Sequence, residues 1–206
     1  MNVVLVVLSL IPFYLLGAFP TGYLLSKLHG IDIAAQGSGN VGATNVARVL
    51  GKRAGILTLV GDVCKGALGV AIAGLFVGES WFSGAAGIAV VLGHCFSIPP
   101  YFKGGKGVAT ALGVISVLYP TSAPVSLIVF GLFFGIWKIV SLASIVATLV
   151  VPGWALVTNA DDAVSFSLML IAALIVMRHE QNLRRLIEGR EPKFTSIKSE
   201  PSAPVQ

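Results

Sequence analysis

Residues 3–28 read VVLVVLSLIPFYLLGAFPTGYLLSKL and contain one charged residue, Lys27. About 20 predominantly apolar residues suffice for a helix to cross a bilayer, so this stretch is predicted to span a membrane. No basic segment precedes it and no small-residue cleavage site follows it, so we expect a retained helix and not a cleaved signal peptide. The stretch therefore indicates an integral membrane protein.

Similar apolar stretches recur along the rest of the chain. Of its 206 residues, 55% are hydrophobic and 11% are charged, whereas an average soluble domain has about 25% charged residues. The sequence predicts an all-α, polytopic membrane protein with one transmembrane domain at 1–194 and a disordered polar tail at 195–206. Seven spans are predicted, at 3–28, 54–77, 82–96, 108–119, 123–137, 142–157 and 163–177.

The segment at 119–124 contains two prolines and fits either a turn between two helices or a kink in one. Charge placement favours the turn. With a turn there, every Lys and Arg except Lys65 lies on one side of the membrane. The charged residues on the other side are then only Glu79, Asp161 and Asp162. Because cytoplasmic loops are enriched in Lys and Arg, we expect the N-terminus outside and the C-terminus in the cytoplasm.

The loop GSGNVGATNVAR at 37–48 falls on the predicted cytoplasmic side. Gly37, Gly39 and Gly42 allow backbone N–H groups to line a concave anion site. Polar side chains that add hydrogen-bond donors for phosphate are those of Ser38, Asn40, Thr44, Asn45 and Arg48. The alternative is a glycine-rich turn that only packs tightly. The loop lacks the Gly-Lys-Ser/Thr ending of a Walker A motif and follows no predicted strand, so a nucleotide is not favoured.

A second glycine-rich loop, FKGGKGVAT at 102–110, precedes a predicted span. It interleaves Lys103 and Lys106 with Gly104, Gly105 and Gly107, and an anion is again the expected partner. The alternative is that the two lysines only anchor the membrane interface by extending their ammonium groups to it.

The basic segment RHEQNLRRLIEGREPK at 178–193 contains a third candidate. His179 and Asn182 share a face if the preceding helix continues, with Arg178 and Arg185 beside it. His179 could bind a phosphate, act as a base, or only cap the last span. His94, in GHCF at 93–96, is a weaker candidate, for which a structural role is favoured.

Asp62 and Lys65 lie one helical turn apart inside the second predicted span. Ionisable residues are costly there unless they are paired or face a polar interior. One interpretation is a structural ion pair. The other is that Lys65 reaches the anion site while Asp62 holds it in place.

Taken together, six motifs resemble the bacterial acyl-phosphate:glycerol-3-phosphate acyltransferases of the PlsY type. In chain order they are GSGNVGATNVAR, DVCKG at 62–66, GHCF, FKGGKGVAT, SLAS at 141–144, and RHEQNLRRLIEGREPK. The first loop of that family usually reads GSGN-Pro-GATN, and here the fifth position is Val41. A lost proline loosens the turn but removes no ligand.

The resemblance implies a seven-helix enzyme of the bacterial plasma (inner) membrane, with its active site at the cytoplasmic face. It would transfer a fatty acyl group from acyl phosphate to the 1-hydroxyl of sn-glycerol 3-phosphate, giving lysophosphatidic acid and inorganic phosphate. Its expected partners are these two substrates and membrane lipids, with no nucleic acid, no cofactor and no metal. The catalytic residues would be Ser38, Arg48, Lys106, His179 and Asn182. The expected substrate-binding residues are Gly37, Gly39, Asn40, Gly42, Thr44, Asn45, Lys65, Lys103, Gly104, Gly105, Ser141 and Ser144.

That reaction fits the residues. An acyl phosphate already carries a good leaving group, so catalysis mainly requires orientation of two anions and stabilisation of negative charge. No histidine is followed five residues later by aspartate, which argues against acyltransferases that use such a pair with thioester donors. The base stays open between His179 and an oxygen of the acyl phosphate. The alternative functions are a transporter or binding protein for a phosphorylated metabolite, and a helix-packing scaffold.

Overall fold

The computed structural model describes residues 3–96 and 104–194, and every regular element in these two ranges is helical. The predicted all-α class is therefore confirmed for this part of the chain. Besides a short 3₁₀ helix at Ile33–Ala35, the helices are α1 Val3–Ala18, α2 Thr21–Leu28, α3 Ala43–Leu50, α4 Lys52–Phe76, α5 Ser80–Cys95, α6 Val108–Leu118, α7 Ser122–Trp137, α8 Val140–Val157, α9 Asp162–Arg178 and α10 Glu180–Ile187. The predicted tail at 195–206 lies outside the described residues.

The membrane character of the helices agrees with the sequence. Val3–Leu28, Lys52–Phe76 and Val140–Val157 are long and apolar enough to cross a membrane, and α9 with α10 adds a fourth if this pair, bent by 62°, is one span. Helices α5, α6 and α7 are apolar but shorter, with 16, 11 and 16 residues. Each of the seven predicted spans is thus mainly helical, and the number of crossings stays a prediction.

The first predicted span is interrupted between α1 and α2. Pro20 has no N–H to continue the helical hydrogen bonds and disfavours helical geometry at Phe19. The turn predicted at 119–124 is confirmed, since α6 ends at Leu118 and α7 begins at Ser122. Pro124 is tolerated because it lies in the first turn of α7, where N–H groups have no partner within the helix.

Close helix packing depends on small residues. Helix α4 packs against α3, α5 and α6, while α1 packs on α5, α7 on α8, and α9 on both α5 and α8. A Cβ atom on Gly66 of α4 would collide with the Thr110 carbonyl of α6, and one on Gly113 of α6 with the Val63 carbonyl of α4. Such glycines let membrane helices approach at backbone distance.

Three connections gather at one end of the helices. Tyr119 Oη lies 2.7 Å from Thr158 Oγ1, which joins the α6–α7 and α8–α9 connections. Ser80 Oγ donates to Asp161 Oδ1 at 3.1 Å, which adds the start of α5. The glycine-rich and basic segments are therefore left for the opposite end, where they line one cavity.

Candidate active site

The cavity has a volume of about 330 Å³ and is lined by both polar and apolar side chains. Leu112, Ile115, Phe130, Val151 and Leu168 are among the side chains of its apolar part. The predicted site residues that line it are Ser38, Asn40, Gly42, Thr44, Asn45, Arg48, Lys106, Ser141, Ser144, His179 and Asn182. The structure thus brings together residues from four separate segments of the sequence.

Asn45 organises the first glycine loop. Its side-chain oxygen accepts from the Ser38 N–H at 2.8 Å, and its amide donates to the carbonyls of Gln36 at 3.0 Å and Asn40 at 2.9 Å. Gly37 has φ of +60°, and a Cβ there would collide with Asn45 Oδ1. The loop therefore packs tightly around Asn45 and also forms part of the cavity wall, and its binding of an anion stays a prediction.

The second loop contributes Lys106 and is partly outside the described residues. Lys103, a predicted site residue, lies outside the described residues. Burial lowers the pKa of Lys106 to about 8; Arg185, Arg178 and Arg48 add to the lowering, and Glu191 opposes it. A lysine held among cations and partly desolvated gains stability when an anion binds beside it.

His179 interrupts the last span. The preceding helix does not continue through this position, because α9 ends at Arg178 and α10 begins at Glu180. The His179 N–H bonds the Val176 carbonyl at 3.0 Å, and its ring Nδ1 takes the Ile175 carbonyl at 2.7 Å, the acceptor that a continuing helix would use. Since a carbonyl can only accept, Nδ1 carries the hydrogen and Nε2 is left for a ligand.

Glu191 is the site residue that sequence reasoning missed. Its carboxylate accepts from Ser141 Oγ at 2.6 Å, Asn182 Nδ2 at 2.5 Å and Arg185 Nε at 2.6 Å. Burial acts to raise its pKa, but these hydrogen bonds hold the pKa below the ordinary value. The three donors therefore already bind an oxyanion in this structure.

The Asp62–Lys65 ion pair is present, with Lys65 Nζ 2.9 Å from Asp62 Oδ1. Lys65 Nζ also lies 2.8 Å from His94 Nδ1 and donates to the Phe19 carbonyl at 3.0 Å. Asp62 and His94 line the cavity, whereas Lys65 does not. The predicted site residues that likewise do not line the cavity are Gly37, Gly39, Gly104 and Gly105.

Comparison with known proteins gives consistent results. The family profile described as glycerol-3-phosphate acyltransferase matches residues 7–189. A glycerol-3-phosphate acyltransferase of Trichlorobacter lovleyi is 45% identical over 181 residues, which cover 88% of this chain and 93% of that protein. It is one of several bacterial relatives with that name.

Two solved structures are also similar. A crystal structure of PlsY, an integral membrane glycerol 3-phosphate acyltransferase, in its glycerol 3-phosphate form has a TM-score of 0.88 and 43% identity, covering 92% of this chain and 96% of that one. The lysophosphatidic acid form of PlsY has a TM-score of 0.86 and 43% identity, with coverage of 93% and 96%. This chain belongs to the glycerol-3-phosphate acyltransferase family.

Proposed function

We propose that this protein transfers a fatty acyl group from acyl phosphate to the 1-hydroxyl of sn-glycerol 3-phosphate, giving lysophosphatidic acid and inorganic phosphate. The observation that carries this proposal is the cavity, whose lining combines the cationic side chains of Arg48, Lys106 and Arg185 with apolar side chains of α6, α7, α8 and α9. A donor with an anionic head and a hydrocarbon chain matches both parts. The names of the similar proteins support acyl transfer to glycerol 3-phosphate.

In the cationic part of this lining, Arg48, Lys106 and the first glycine loop would hold the phosphate of the donor. Ser38 and Asn40 present polar side chains to the same wall, and Arg48 offers a planar pair of donors. Because negative charge grows on the phosphate as it leaves, these cations stabilise the transition state more than the ground state. We therefore expect these cations to contribute to the rate of acyl transfer and not only to the binding of the donor.

His179, Asn182 and Ser141 would hold glycerol 3-phosphate with its 1-hydroxyl near the acyl carbon. The donors that bind Glu191 support this assignment, since they already bind an oxyanion. The hydroxyl oxygen bonds to the acyl carbon, the carbon–oxygen bond to phosphate breaks, and phosphate leaves with the electron pair. The hydroxyl proton goes either to His179 Nε2 or to an oxygen of the phosphate.

His179→Gln distinguishes the two proton acceptors. General base catalysis by a side chain is worth about 10²–10⁴-fold in rate. If His179 is the base, kcat falls within that range, whereas a variant with most of the maximal rate would assign the proton to the substrate phosphate. Steady-state rates at saturating concentrations of both substrates measure the difference.

The membrane arrangement is part of the proposal. We infer seven crossings by a single domain at 1–194, with the N-terminus outside and the active site at the cytoplasmic face of the bacterial inner membrane. The separation of the connections supports this inference, because Asp161 and the start of α5 lie together at the end away from the cavity. Membrane lipids would surround the apolar outer surface, on which Leu75 is 86% exposed.

The reaction is tested with purified protein, following phosphate release from palmitoyl phosphate with and without glycerol 3-phosphate. Release that requires glycerol 3-phosphate is expected, and palmitoyl-CoA serves as the control donor, for which the free CoA thiol is followed because that donor releases no phosphate. No release from folded protein would refute the enzyme, and uptake of glycerol 3-phosphate into proteoliposomes would then test the transporter alternative.

A further inference from the structure

Asp62, Lys65 and His94 form a buried charged cluster that the reaction does not use directly. Their side chains are 4%, 5% and 7% exposed. The ammonium of Lys65 has three hydrogens and three close partners: Asp62 Oδ1, His94 Nδ1 and the Phe19 carbonyl. Burying ionisable groups at this depth costs free energy, so we expect these three residues to have a function besides packing.

His94 connects the cluster to the second glycine loop. The His94 carbonyl accepts from the Gly105 N–H at 2.9 Å. A Cβ on Gly105 would collide with the His94 ring, and one on Gly104 with the carbonyl of Cys95, so both glycines rest directly on the end of α5. The ring therefore lies directly against the loop backbone.

Arg178 holds the same backbone from the other side. It donates through Nε to the Gly105 carbonyl at 3.2 Å and through Nη2 to the Gly104 carbonyl at 3.1 Å. Its guanidinium also lies 5.1 Å from the centre of the Phe96 ring. The two residues before Lys106 are thus held by hydrogen bonds and by contact with a ring.

We propose that Asp62, Lys65 and His94 are positioning residues for Lys106. Lys65 holds the His94 ring, the ring supports Gly105, and Gly105 sets where the Lys106 side chain enters the cavity. This inference rests on the proposed function for its kinetic effect, since Lys106 would bind the phosphate of the donor. It also gives the buried ion pair a role without contact between Lys65 and substrate.

A double-mutant cycle between His94 and Lys106 tests the proposal. His94→Ala is expected to raise KM for palmitoyl phosphate by about tenfold and to change KM for glycerol 3-phosphate by less than about twofold. In a Lys106→Ala background, His94→Ala should raise KM for palmitoyl phosphate by less than about threefold further, because the side chain that His94 positions is gone. His29→Ala, at an exposed histidine outside the cavity, is the control.

A loss of the same size in both backgrounds would show that His94 acts independently of Lys106, and the proposal would be wrong. Gly105→Ala is a second variant that keeps the buried charges. Its methyl group meets the His94 ring, and it should raise KM for palmitoyl phosphate in the same selective way.

Hydrogen exchange measured by mass spectrometry tests the proposal without any turnover. Amides at 104–107 should exchange about tenfold faster in His94→Ala and in Gly105→Ala than in the wild type and His29→Ala. Unchanged exchange of these amides in both His94→Ala and Gly105→Ala would overturn the inference. If the wild type released no phosphate, the proposed function would fail, and this measurement would still decide the positioning claim.

Discussion

Replacing Glu191 by alanine should destabilise the protein by about 2 kcal/mol. Ser141 and Asn182 would each lose a buried charged acceptor, at about 1–3 kcal/mol apiece. Arg185 is 39% exposed, so its ion pair adds at most about 1 kcal/mol. Removing the carboxylate also removes the cost of its burial, which offsets the loss by a few kcal/mol. For a chain of this size, 2 kcal/mol lowers Tm by about 4–8 °C.

Thermal unfolding in one detergent at about pH 7 measures this change. Glu188→Ala removes a nearby exposed ion pair with Arg190 and is the matched control, expected to shift Tm by less than about 2 °C. The pKa of Glu191 is lowered by folding, so its stabilisation is present above about pH 4.3 and is lost as pH falls through the folded value. Glu191→Gln should remove that dependence. A Tm for Glu191→Ala equal to that of Glu188→Ala would refute the reasoning.

Three further predictions concern the cavity and its loops. Lys106 is charged below its pKa of about 8, so kcat/KM for acyl phosphate should fall as pH rises above that value, and Lys106→Arg should keep its rate to about pH 9 or above. Gly37→Ala should lower the free energy of unfolding by about 2 kcal/mol more than Gly30→Ala, since both have positive φ but only Gly37 would meet Asn45; chemical denaturation compares the two. Ala172→Phe, in the apolar wall, should cut the rate with palmitoyl phosphate by about tenfold or more and spare an eight-carbon donor.

The apolar helices and the polar loops could be predicted because each is recorded in its own stretch of sequence. Runs of apolar residues predict spans one at a time, and unequal charge assigns the loops to sides. The composition of the two glycine loops predicted that they bind anions, and the structure places Arg48 and Lys106 from these loops on one cavity. Their gathering at one cavity followed from the prediction that they share a membrane face.

Glu191 could not be found in this way, because an acidic residue in a polar basic segment is usually exposed. Its burial depends on Ser141, which is distant in sequence, and on the turn after α10 that brings Glu191 back to Asn182. The bend at His179 was missed for a different reason, because a run of apolar residues does not show that the His179 ring, and not its backbone N–H, bonds the Ile175 carbonyl four residues earlier. The contact of Lys65 with His94 required knowing that α4 and α5 pack side by side.

The most direct test of the central claim is the identity of the acylated product. Purified protein would be given palmitoyl phosphate or palmitoyl-CoA with glycerol 3-phosphate, and the products would be identified by mass spectrometry. Lysophosphatidic acid is expected with palmitoyl phosphate as the donor and not with palmitoyl-CoA. The rate of its formation should fall in Lys106→Ala. Equal product from palmitoyl-CoA, or an unchanged rate in Lys106→Ala, would contradict the account.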